Sequence, residues 1–145
     1  MSQFKVAQLD HVHVYVADRA AAAAWYQRVL GLEAVAEFAS WAADPDGPLT
    51  ISPDGGNTEL ALFQRPNLAP PEHRATIAFR VDGAGFLAFL ARLPEHPVYE
   101  REGRPVTARD VVDHEQSFSI YFCDPDGNPY ELTTYDYAEV AAKLA

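Results

Sequence analysis

A single cysteine, Cys123, stands in a chain of 145 residues, so no disulfide can close within it. Basic residues are scarce as well. Eleven Lys and Arg against 21 Asp and Glu leave a formal charge of −10. Nucleic acid needs clustered cations against its phosphates, and the chain has no such cluster, which argues against DNA, RNA and anionic membranes as partners. No run reaches the ~20 apolar residues of a bilayer span. Residues 1–8 lack the apolar stretch of a signal peptide, so the expected location is cytoplasmic.

What is present is ordinary for a globular protein: 48% apolar and 22% charged residues. A chain this long can bury roughly 68–70% of its unfolded surface without a staple. One domain over residues 1–145 is expected. The acidic balance describes a solvated surface before it describes a function.

Order along the chain comes from periodicity. Leu9 to Val16 alternates Val12, Val14 and Val16 with His11, His13 and Tyr15, which predicts a strand with one apolar and one polar-aromatic face. Asp18 can cap a following helix. Ala22, Tyr26, Val29 and Leu30 share its inner face with Trp25 beside them, and Gly31 stops it. Extended segments are predicted over 34–42, 49–52 and 58–63, separated by Asp-Pro-Asp-Gly and Pro-Asp-Gly-Gly turns. Three prolines make 65–72 a linker.

The pattern then restarts. A strand over 75–81 precedes a helix opened by Asp82-Gly83 and ended by Pro94, with Phe86, Leu87, Leu90 and Leu93 inward. Extended segments are predicted over 98–102, 117–122 and 130–135, with the turn Asp124-Pro125-Asp126-Gly127-Asn128 between the last two. Residues 136–144 suit a closing helix. The fold class is α+β, from two βαβββ modules at about 8–64 and about 74–135. In this repeat His11 matches Thr76, and Glu59-Leu60 matches Glu131-Leu132. Parity gathers His11, His13, Glu59, Tyr121 and Glu131 on the polar sheet face.

Leu9-Asp10-His11-Val12 and the run from Tyr121 to Leu132, with its DPDGN and Glu-Leu, resemble the vicinal oxygen chelate superfamily. That superfamily includes glyoxalase I, fosfomycin-resistance transferases, extradiol dioxygenases and bleomycin-resistance proteins. The resemblance implies a glyoxalase-like, open, curved mixed sheet. It also implies a divalent ion (Fe, Mn, Ni, Co or Zn) held by His11 and Glu131. The family's usual third ligand is a His on the first strand of the second half, and here the matching residue is Thr76. His73, three residues earlier, has the wrong parity. Glu59 matches a ligand of the glyoxalase branch and would complete a nitrogen-and-two-oxygen set.

The spacing of Tyr121 from Glu131 resembles that of the extradiol enzymes. Tyr121 and His114 are thus candidate proton-transfer residues, and His13, Thr76 and Phe63 are candidate ligand-lining residues. The implied activity is metal-dependent chemistry on a substrate with adjacent oxygens, by a glyoxalase-like lyase or isomerase or a ring-cleaving dioxygenase. The alternative is a metal-free drug-sequestering protein of the bleomycin-resistance type, favoured by Thr76, the acidity and Trp41. The plain structural reading stands beside each assignment: a satisfied strand histidine for His11, and a carboxylate bonded to backbone or to Arg80 for Glu131. The resemblance and the twofold symmetry of most small assemblies imply a homodimer of about 32 kDa.

Overall fold

The structure is a computed structural model that describes residues 4–72 and 75–145. His73 lies outside the described residues. The chain divides into two compact units, one running to Ala69 and the other from Pro70 to Ala145.

The first unit contains strand β1 (His11–Val16), helix α1 (Arg19–Leu30), strand β2 (Glu33–Ala34), helix α2 (Ala39–Ala42), and strands β3 (Leu49–Ser52) and β4 (Glu59–Gln64). Its sheet runs β1-β4-β3-β2, with β1 parallel to β4 and the other pairs antiparallel. The α1 boundaries follow from local chemistry. The Asp18 carboxylate accepts from the Ala21 amide at 3.0 Å, and Gly31 takes a left-handed φ of 72° that glycine adopts without strain. Ala22, Trp25, Tyr26 and Val29 are the buried residues of α1, and Ile51, Leu60 and Leu62 are buried in the sheet. Each large apolar side chain so buried contributes about 1.5–3 kcal/mol. Val14 and Val16 are buried while His11, His13 and Tyr15 are exposed, as the alternation predicts.

The predicted extended segment 34–42 is a correction. Only Glu33–Ala34 is strand, followed by a 3-10 turn at Ala36–Phe38 and then α2. The alanines favour helix. Helical spacing also brings the Phe38 and Trp41 rings into a stack, 4.3 Å apart and 5° from parallel. Arg19 then donates to the carbonyls of Ala42 and Asp44, tying down the end of α2.

The second unit contains strand β5 (Ile77–Arg80), helix α3 (Gly83–Arg92), strands β6 (Val112–Asp113), β7 (Phe118–Cys123) and β8 (Pro129–Thr134), and helix α4 (Tyr137–Leu144). Its sheet order, β5-β8-β7-β6, repeats that of the first, again with one parallel pair, β5 with β8. Asp82 caps α3 by accepting from the Gly85 amide at 2.7 Å. Phe86, Phe89 and Leu93 are its buried side chains, whereas Leu87 and Leu90 are half-buried.

A second correction concerns 98–102, which forms no strand. Tyr99 makes isolated bridges to Pro105 and Cys123, and the edge strand of the sheet is β6 instead. Pro97 and Pro105 lack amide donors. Between them the chain reverses through Gly103 at φ 89°, with Glu100 and Arg104 closing the turn at 3.0 Å.

Both units end in the same kind of hairpin. In the second, Asp124 is buried and its carboxylate accepts from the amides of Asp126 (2.9 Å) and Asn128 (2.8 Å) and from the Asn128 side chain (2.8 Å). In the first, Ser52 and Asp54 share that work. Asp54 accepts from the Thr58 amide at 2.9 Å, and Ser52 donates to the Thr58 carbonyl at 2.7 Å. Each turn delivers a Glu-Leu pair to the following strand, Glu59-Leu60 in β4 and Glu131-Leu132 in β8, with the leucine buried.

Candidate functional site

In the first unit, β1 and β4 set His11 opposite Glu59 and His13 opposite Ala61. The Nδ1 atom of His11 lies 2.7 Å from an Asp10 carboxylate oxygen. That contact puts the ring hydrogen on Nδ1 and leaves the Nε2 lone pair available, an arrangement common for metal-ligating imidazoles. Nε2 of His11 is 3.2 Å from Nε2 of His13. Phe63 packs against His13 at 4.7 Å and against Tyr15 at 5.9 Å, so the half-buried Phe63 braces the exposed histidine.

Glu59 is half-buried. Desolvation first, then the nearby Asp10 carboxylate, pushes its carboxyl above the usual glutamate range, although His11 pulls the other way. A raised carboxyl means the folded chain holds this proton more tightly than the unfolded chain. Stability is therefore lost as pH rises from the ordinary glutamate value through the raised one. Glu59→Gln is expected to raise the melting temperature of the metal-free protein at pH 7 by about 2 °C. The gain should vanish below about pH 4, where both states bind the proton. Calorimetric melts across that range check it, and an unchanged or lower melting temperature at pH 7 refutes it.

In the second unit, the β7–β8 register sets Tyr121 opposite Glu131. The Tyr121 hydroxyl donates to Glu131 Oε1 at 3.0 Å and lies 3.1 Å from Nε2 of His114. With the phenol hydrogen committed to Glu131, Nε2 of His114 carries the hydrogen that reaches Tyr121 Oη. Burial, and then the Glu131 carboxylate, pushes the Tyr121 phenol above the usual tyrosine range, so it is a proton donor at neutral pH. Arg80 is not the partner of Glu131; its guanidinium sits 4.7 Å over the Tyr135 ring. On the same face Ser119 and Thr133 are buried and bonded to each other at 3.0 Å.

Thr76 needs a correction. It is exposed and precedes β5, and the residue that β5 sets opposite Glu131 is Ala78. The position facing Glu131 therefore carries no donor side chain. Thr76 does line a groove of about 290 Å³ with Tyr121, Cys123, Pro129 and Arg101. Arg101, which also donates to the Pro71 carbonyl at 2.7 Å, went unrecognised in the sequence because its segment reads as strand. Burial pushes the Cys123 thiol up, which keeps it protonated and a poor nucleophile. Among the described residues, no three His, Cys, Asp or Glu side chains stand together as a ready metal cage.

Comparison with known proteins gives this arrangement a context. The family model for the Glyoxalase/Bleomycin resistance protein/Dioxygenase superfamily matches residues 8–132. The chain belongs to this superfamily. Metallothiol transferase FosB of Staphylococcus epidermidis is 42% identical over 82 residues, 54% of each chain, so the match spans about half the length of that relative. Among solved structures, the fosfomycin resistance protein FosX from Listeria monocytogenes superimposes with a TM-score of 0.66 at 18% identity, over 94% of this chain and 99% of that one. A variant of FosX has been crystallised with Mn(II) and 1S,2S-dihydroxypropylphosphonic acid. TnmS3, an antibiotic binding protein from Streptomyces sp. CB03234, superimposes with a TM-score of 0.63 at 24% identity, over 92% and 99% of the two chains. Superfamily membership accounts for the paired βαβββ units and for the Glu-Leu turns. It does not by itself select a reaction.

Proposed function

We propose that the chain is a metal-dependent enzyme acting on a small molecule with adjacent oxygens. His11 and Glu59 are the candidate metal ligands carried by the first unit, and Glu131 is the candidate carried by the second. The observation that carries this reading is the hydrogen-bonded series His114–Tyr121–Glu131 on a partly exposed sheet face. A carboxylate that only stabilised the sheet would need no titratable relay leading away from it. The donor set suits Fe, Mn, Ni, Co or Zn, since imidazole nitrogen and carboxylate oxygen serve all five. The Asp10 contact, which puts the ring hydrogen on Nδ1 and makes Nε2 the lone-pair nitrogen of His11, supports the fit.

When bound, a divalent ion would polarise the two substrate oxygens and stabilise charge developing on them. The chain's own part is proton management. Tyr121 orients Glu131 and presents a protonated hydroxyl, and His114 exchanges a proton with Tyr121 Oη. Lyase, isomerase and ring-cleaving reactions all fit these roles, and so does the thiol transfer named for the FosB relative. Protein purified without chelator or nickel affinity resin is expected to retain close to one equivalent of metal per chain. Stripped protein is expected to show a melting shift of several degrees with at least one of the five ions. No retained metal and no shift with any ion would sink this reading.

A second reading is a metal-free protein that sequesters a small molecule. It is favoured by one observation, that β5 offers Ala78 opposite Glu131 and so lacks an imidazole there. The likeness in fold to an antibiotic binding protein agrees with it. Binding that survives chelation, without turnover, would move the assignment to this reading.

A further inference from the structure

The missing imidazole of β5 has a substitute on β1. We infer that His13 is a second nitrogen ligand beside His11, an inference that rests on the metal-dependent reading above. His11 and His13 are two residues apart on one strand, so their side chains leave the same face. Their Nε2 atoms are 3.2 Å apart, their ring centroids are 5.1 Å apart, and the rings are only 21° from parallel.

Those three values match the spacing of two ligands on one ion. Two imidazoles bound side by side to one ion, each at ~2.1 Å and at an angle of roughly 100°, have nitrogens about 3.2 Å and centroids about 5 Å apart. A straight N–H···N hydrogen bond between coplanar rings with the same nitrogen separation would hold the centroids about 5.5 Å apart. The observed centroid separation of 5.1 Å lies nearer the first arrangement than the second. In the metal-free chain one Nε2 hydrogen lies between the two nitrogens. Metal binding releases that proton, and both lone pairs then face the ion.

The surroundings hold this pair in place. Asp10 fixes the His11 ring through Nδ1, and Phe63 packs on the His13 ring at 4.7 Å. Glu59 lies opposite His11 in the register, but its carboxylate does not stand with the two imidazoles as a ready third ligand, so the inference concerns the nitrogen pair alone. His13 therefore restores the nitrogen count that a nitrogen-and-two-oxygen set lacks.

The test uses the full chain and Cu(II) and Mn(II) as probes. Electron spin-echo modulation of the Cu(II)-loaded parent is expected to show two coupled imidazoles, and His13→Gln only one. Calorimetry is expected to show Mn(II) affinity at least 30-fold weaker in His13→Gln, with the metal-free melting temperature unchanged because His13 is exposed. Glutamine keeps a polar side chain of similar reach, so a fold defect is not the expected cause of any loss. Two coupled imidazoles retained in His13→Gln, or Mn(II) affinity within threefold of the parent, overturns the inference while leaving the metal-dependent reading standing. A parent that binds neither ion overturns both.

Discussion

Asp124→Ala is expected to destabilise the second unit by about 3 kcal/mol, because it removes at least three hydrogen bonds at one buried carboxylate. The loss is not the sum of three exposed bonds. Asp124 is 5% exposed and Asn128 8%, so water has little access to take the place of the lost carboxylate. A methyl group also leaves a gap where the carboxylate stood. In a chain of this size the change corresponds to a fall of about 10 °C in melting temperature. Asp124→Asn should recover only part of it, since its own amide group would face the Asn128 amide now held at 2.8 Å.

The first unit supplies the contrast. Asp54 accepts from the Thr58 amide and from Ser52, contacts that hold its carboxyl below the usual aspartate range. Asp54 and Thr58 are exposed, so the Thr58 amide freed by Asp54→Ala reaches water while the buried Ser52 hydroxyl keeps the Thr58 carbonyl as its acceptor, and the cost should be clearly smaller. Melting curves followed by circular dichroism decide the matter. An Asp124→Ala protein melting within 2–3 °C of the parent would mean that the turn is held by its backbone bonds alone.

That turn also marks what the sequence makes legible. Asp124-Pro125-Asp126-Gly127-Asn128 is recognisable because its key residues have fixed roles. The Asp124 carboxylate serves three donors, and Gly127 sits at φ 88°, which other residues reach only under strain. Helix α1 is legible for the same reason, with Asp18 and Gly31 marking both ends. Segment 34–42 is not. Its alanines and spaced aromatics fit an extended or a helical period over so short a stretch, and the Phe38–Trp41 stack together with Arg19 from another element settles it. One local ring stack and one tertiary contact decide between two weak local preferences there.

Parity and register behave differently. Alternation assigns each side chain to a face, and it places His11, His13, Tyr121 and Glu131 on the polar faces of their own sheets. A two-residue slip preserves that assignment, because the side-chain period is two. The repeat therefore puts Thr76 where the register has Ala78. The pairing of His11 with Asp10 and the proximity of the two Nε2 atoms depend on rotamers, which no periodicity encodes.

Separating ligand from relay in the second unit takes three variants, and the largest effect belongs to Glu131→Gln. A neutral amide cannot offer the anionic oxygen a divalent ion prefers, so Mn(II) affinity is expected to fall by at least about 100-fold, and turnover with it. Tyr121→Phe keeps the ring but removes the hydroxyl that donates to Glu131 at 3.0 Å. Loss of such an orienting bond should weaken the metal by about 10–100-fold. Turnover should fall further, by about 100-fold or more, if the proton passes through Tyr121 Oη. His114→Gln stands one bond farther out, at 3.1 Å from that hydroxyl, and leaves the Tyr121–Glu131 bond intact.

Mn(II) affinity of the His114 variant should therefore stay within about threefold of the parent while turnover drops by about 10–100-fold, a loss that falls on the proton-transfer step. Calorimetry with Mn(II) measures the first quantity without any substrate, so the ranking can be obtained before the reaction is known. The expected order of affinities is parent and His114→Gln together, then Tyr121→Phe, then Glu131→Gln. If Tyr121→Phe binds as tightly as the parent, the phenol does not orient the ligand. If His114→Gln weakens the ion as much as Tyr121→Phe does, His114 acts on the metal site itself and the relay through the tyrosine hydroxyl is wrong.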